Sequence, residues 1–110
     1  MAITMNKNIQ IVIPSHRAGT ISWLCQKLKD LGYGFQVRDL KGYWAGEKEP
    51  CKCVALYYKA EDIRAVFRLF AIAVMRLLVL GEQSVMTVED GTAHFYQPDD
   101  HAALEMIANA

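Results

Sequence analysis

The chain has no excess of charge of either sign, since twelve Lys and Arg balance twelve Asp and Glu over 110 residues. A protein that grips nucleic acid by its phosphates needs a clustered basic footprint, and one that adheres to anionic lipid needs the same. Neither nucleic acid nor a membrane is therefore an expected partner. Phosphate-cradling loops are also missing: no GxxxxGK[ST] and no GxGxxG occurs. There are no paired CxxC or HxxxH knuckles for zinc, and three cysteines are an odd number for a disulfide framework. No metal and no cofactor are expected. The segment MAITMNKNIQ lacks the basic start, apolar stretch and small-residue cleavage site of a secretion signal, so a cytoplasmic location with reduced thiols is expected. The most apolar run, Ala65 to Leu80, is interrupted by Arg68 and Arg76 and falls short of the ~20 residues that span a bilayer.

What is present is a large apolar fraction, 53% of the chain, which excludes wholesale disorder and suits one domain with one core. Ile9, Ile11 and Ile13 repeat with period 2 until Pro14, the pattern of a buried strand. Ile21, Leu24, Cys25, Leu28 and Leu31 then recur at helical spacing, with Gly32 as a stop. Alternation resumes from Phe35 to about Trp44, Gly46 supplies a turn, and a further strand runs from Cys51 to Lys59. Glu61 and Asp62 place acids at the positive end of a helix that closes at Leu80 and Gly81. Its apolar residues cover more of the circumference than one sheet face can bury, which points to a homo-oligomer. Ser84–Val88 and Thr92–Tyr96 flank the turn pair Asp90-Gly91, and a short helix can start near His101.

The expected fold is α+β: a ferredoxin-like β-α-β-β-α-β sandwich, its antiparallel sheet carrying two helices on one face and an extra C-terminal hairpin strand. Residues 1–8 read as a tail, 9–97 as the single domain and 98–110 as a tail or short helix.

Few side chains carry chemistry. Cys51 and Cys53 share a strand face, yet without further knuckles they read as small packed residues. His16 follows the end of a strand within SHR, and His94 lies inside a strand with no base or nucleophile nearby in sequence. Tyr57 and Tyr58 are adjacent and lack the alternate spacing of an RNA-stacking platform. Glu47 and Glu49 remain, in the stretch GYWAGEKEPCKC beside Tyr43 and Trp44. Carboxylates next to aromatic rings suit a cationic ligand, because charge and ring quadrupole both attract it.

Five ordered segments complete the pattern: SHR after the first strand, LGYGF followed by RDLKGYW, acids before CKCVALYY, RL within the second helix, and EQSV followed by GTAHFY. In this order and in this frame, over about residues 9–97, the chain resembles the phage-encoded S-adenosylmethionine lyases, formerly described as hydrolases. Its central hairpin and tail are shorter than the family pattern and its second helix is longer. The resemblance implies degradation of S-adenosylmethionine to methylthioadenosine and homoserine lactone, without metal or cofactor. It assigns catalytic roles to Glu49 and Tyr43, and substrate contacts to Trp44, Glu47, Glu82 and Gln83. Trp44 is the alternative to Tyr43 for the aromatic role, and Glu47 the alternative to Glu49. A homotrimer in the cytoplasm of a bacterial host follows from the same likeness, with an anti-restriction role. The competing expectation is a non-catalytic ferredoxin-like module that binds a small molecule or a host protein.

Overall fold

The computed structural model describes residues 2–110; the side chain of Trp44 lies outside the described residues. The elements in chain order are β1 (Lys7–Pro14), α1 (Ala18–Asp30), β2 (Phe35–Trp44), β3 (Glu47–Tyr58), α2 (Ile63–Val79), β4 (Val85–Glu89), β5 (Thr92–Tyr96) and α3 (His101–Ala108). The architecture is α+β. Five strands form one sheet in the order β2-β3-β1-β4-β5, and every pairing in it is antiparallel.

The period-2 pattern decides which face of the sheet carries the helices. Ile9 and Ile11 of β1 face the same way as their cross-strand partners Leu56 and Val54 of β3, and Ile13 continues that row. These side chains form the core together with Leu24 and Leu28 of α1, Val66, Phe70, Val74 and Leu77 of α2, and Leu104 of α3. Burying each large aliphatic contributes about 1.5–3 kcal/mol. The opposite face carries Val12, Pro14, Cys51 and Cys53.

Two features differ from the sequence-based expectation. A third helix joins the core, because α3 lies against α2 and inserts the fully buried Leu104. It covers much of the apolar circumference of α2 within one chain, so that circumference no longer requires a second subunit. In addition, β3 starts at Glu47, four residues before the expected strand. Pairing continues through Gly42 with Glu49 and Trp44 with Glu47, up to a two-residue turn at Ala45 and Gly46. Both turn residues have positive φ, 50° and 82°, as the hairpin turn that matches strand twist requires. Glu47 and Glu49 are therefore strand residues held in register, with no loop between Gly46 and Cys51. At the other end, β1 starts at Lys7, where Asp90 accepts a hydrogen bond from the Asn8 backbone N–H at 2.8 Å.

Candidate functional site

One end of the helix-free sheet face holds a cavity of about 330 Å³. Every strand contributes to it: Gly42 and Tyr43 from β2, Glu49 and Cys51 from β3, Val12 and Pro14 from β1, Met86 from β4, and Phe95 from β5. The connection from α2 to β4, Gly81 to Ser84, supplies the remaining wall. Of the six residues expected at a site, Glu49, Glu82 and Gln83 line this one cavity although they come from separated segments; Tyr43 also borders it, but its register opposite Lys48 sets its largely exposed side chain on the other face of the hairpin from Glu49. Glu47 is exposed and is not part of the lining. Trp44 falls outside the described side chains.

Local structure explains the positions of the two carboxylates. Glu49 is fixed by its register with Gly42, whose missing side chain leaves the space beside it: a β-carbon at Gly42 would lie 3.3 Å from the Glu49 carbonyl oxygen. Glu82 is placed by the end of α2. Gly81 adopts φ 110°, its N–H donates to the Leu78 carbonyl at 3.1 Å, and the Glu82 N–H donates to the Leu77 carbonyl at 3.1 Å. This pair of bonds satisfies the last carbonyls of α2 and turns the chain so that Glu82 meets the cavity.

The two cavity carboxylates differ electrostatically. Arg17 donates to Oε2 of Glu82 from Nε at 3.0 Å and from Nη2 at 2.8 Å. His16 Nε2 lies 3.9 Å from the same oxygen on a largely exposed ring. Glu49 has no ion-pair partner within 4.0 Å among the described residues. The cavity therefore presents one uncompensated carboxylate and one neutralised by a guanidinium. Arg17 stands out only once the fold is known; the sole hint in sequence is its place in SHR.

The cysteines behave as packing residues. Cys51 and Cys53 are buried, and burial pushes both thiols up; the negative charge of Glu49 raises Cys51 further, while Arg38 partly offsets the rise at Cys53. Cys25, half-buried on α1, is also raised by burial. Among the described residues no three His, Cys, Asp or Glu side chains converge as a metal-binding group. His94 lies away from the cavity, 3.4 Å from Glu89 Oε2 and stacked on Tyr96 with ring centres 6.2 Å apart. Among the described residues no helix is long and apolar enough to cross a membrane.

Compared with known proteins, the chain matches no protein-family model and no curated sequence.

Proposed function

We propose that the chain is an S-adenosylmethionine lyase built on a ferredoxin-like frame. The observation that carries this reading is the convergence of Glu49, Glu82 and Gln83 on one cavity that Tyr43 also borders. The resemblance seen in the sequence assigns those same four residues to one substrate site. The strand order β2-β3-β1-β4, with α1 and α2 as crossovers on one face, supports the split β-α-β frame; β5 and α3 are additions to it. A volume of about 330 Å³ lies at the small end of ligand pockets, roughly 300–1,000 Å³, and suits one nucleoside-sized molecule.

The chemistry asks little of the protein. The substrate holds its own electrophile, a sulfonium, and its own nucleophile, a carboxylate. A carboxylate oxygen attacks Cγ of the methionine portion, the Cγ–S bond breaks, and the electron pair moves to sulfur. The products are neutral methylthioadenosine and homoserine lactone, with no water consumed. Holding the tail in the folded geometry can supply up to roughly 7–11 kcal/mol of the barrier. Glu49, the uncompensated carboxylate, binds the cationic amino-acid end and orients it. Tyr43 positions the same end, with Trp44 as the alternative aromatic. Glu82 and Gln83 meet the nucleoside.

A homotrimer in the cytoplasm of a phage-infected host, with an anti-restriction role, belongs to the same reading. Leu40 and Phe95 support the oligomer, because both are exposed on the uncovered sheet face. Light scattering should report a multiple of 12.4 kDa, and a monomer at micromolar concentration would remove the oligomer from the proposal. The activity is tested by chromatography of S-adenosylmethionine incubated with purified protein. Methylthioadenosine should accumulate well above the spontaneous-decay control. If it does not, the enzyme reading falls and the non-catalytic binding module takes its place.

A further inference from the structure

Arg17 closes the turn after β1, where its N–H donates to the Pro14 carbonyl at 2.9 Å, and α1 starts at the next residue. Its side chain makes no capping bond to α1. It reaches instead across to the end of α2 and the residue that follows Gly81. The cavity wall includes Gly81 and Glu82 and not Arg17, so the guanidinium meets Glu82 from outside the lining.

The form of the contact separates a structural clamp from a positioning device. A guanidinium that serves only to join two segments satisfies itself best by a fork across both carboxylate oxygens. Here Nε and Nη2 both donate to Oε2, at 3.0 Å and 2.8 Å. Oε1 accepts no hydrogen bond among the described residues, on a side chain only 16% exposed. A part-buried carboxylate whose charge is compensated and whose second oxygen is unengaged is a poor cation site and a good acceptor for neutral O–H and N–H donors. Ribose hydroxyls and an exocyclic amine are donors of this kind.

We infer that Arg17 is a positioning residue of the cavity: it neutralises and orients Glu82 so that Oε1 receives a neutral donor of the nucleoside, leaving cation recognition to Glu49. This inference rests on the lyase reading and adds to it a division of labour between the two carboxylates and a residue outside the cavity lining.

The test uses Arg17→Met, Arg17→Lys, Glu82→Gln and the double variant Arg17→Met/Glu82→Gln. Three quantities are measured: initial rates on S-adenosylmethionine, the Kd of the neutral probe methylthioadenosine by calorimetry, and the melting temperature. Arg17→Met should raise KM for the substrate and Kd for methylthioadenosine by about the same factor, near tenfold, with kcat within about twofold. Arg17→Lys restores the charge as a single point contact and should recover part of that loss. If Arg17 acts through Glu82, the double variant should be no worse than Glu82→Gln alone, since residues that share one interaction do not add. A wild-type protein that neither converts S-adenosylmethionine nor binds methylthioadenosine overturns the lyase reading and this inference together. A wild type that does both, with an Arg17→Met variant of lowered melting temperature but unchanged KM and Kd, overturns the positioning role alone. Additive losses in the double variant overturn it as well. Should Arg17→Met fail to fold, Arg17→Lys carries the same comparison, and an unchanged KM and Kd there overturns the role.

Discussion

Gly42 and Cys51 stand so close across the β2–β3 ladder that a β-carbon on Gly42 would lie 3.1 Å from Cys51 Sγ. Most side chains could not occupy that position without displacing the floor of the cavity. Gly42→Ala tests this. The Cys51 thiol can rotate, but the Glu49 carbonyl oxygen, at 3.3 Å from the same β-carbon, is fixed in the sheet. Overpacking of this kind costs about 1–3 kcal/mol, offset by the ~0.5–1 kcal/mol gained when alanine replaces glycine in a strand. The net expectation is a loss of up to about 2.5 kcal/mol, read as a lower urea midpoint at unchanged slope. Because Glu49 is displaced with its backbone, turnover should fall as well. An alanine variant as stable and as active as wild type would mean that the close approach at Gly42 is not a constraint on the site.

The parts of the fold written in local periodicity are legible from the chain. Ile9, Ile11 and Ile13 announce a buried strand, and Gly32 and Gly81 mark where the first two helices end. The reach of β3 back to Glu47 is not legible, because Glu-Lys-Glu-Pro has little strand propensity; cross-strand pairing with β2 overrides it. The covering of α2 by α3 is hidden too, since an eight-residue helix is marginal alone and is held by packing. In the cavity, Tyr43 and Glu49 share a hairpin and can be grouped by eye. The pairing of Arg17 with Glu82, 65 residues apart, depends on β1 and β4 being neighbours in the sheet.

Alkaline pH should unfold the protein early. Burial, with the negative charges of Asp90 and Glu89 behind it, pushes the Tyr58 hydroxyl from 10.0 up to about 12. The folded state therefore keeps a proton that the unfolded chain releases. Its stabilising contribution is complete below about pH 10 and is lost as pH rises through about 12. The raised thiols of Cys25, Cys51 and Cys53 act in the same sense from their ordinary value of 9.0 upward. Urea titrations between pH 8 and 11 should show stability falling from about pH 9. Tyr58→Phe should flatten the part of the curve above pH 10. A wild-type curve level to pH 11 would contradict the assignment.

The same raised thiols predict slow alkylation. The reactive species is the thiolate, and burial disfavours it at both Cys51 and Cys53. Iodoacetamide at neutral pH should label these two positions slowly in folded protein and rapidly in urea. Cys51→Ala with Cys53→Ala should keep most of the activity while lowering the melting temperature, at roughly 0.5–3 kcal/mol for each packed group removed. Fast labelling of Cys51 in folded protein, accompanied by loss of turnover, would identify a working thiol instead.

The sharpest test of the cavity separates two acids two residues apart. Glu47 and Glu49 lie on the same strand, but Glu47 is exposed and outside the cavity, whereas Glu49 is half-buried, lines it and has no cation beside it. Glu49→Gln keeps the shape and removes the charge. A charge-assisted hydrogen bond in such a place is worth roughly 1.5–3 kcal/mol. At ~1.4 kcal/mol per decade, turnover of S-adenosylmethionine should fall from about tenfold to over a hundredfold. Folding should survive, because the side chain makes no ion pair and the backbone register that holds it is unchanged. Glu47→Gln should leave the rate within about twofold, since an exposed acid outside the cavity is screened by solvent. Initial rates and melting temperatures of the two variants, measured side by side, decide the matter. Equal losses in both would show a general field effect of the hairpin. A loss confined to Glu47→Gln would move the site off this cavity altogether.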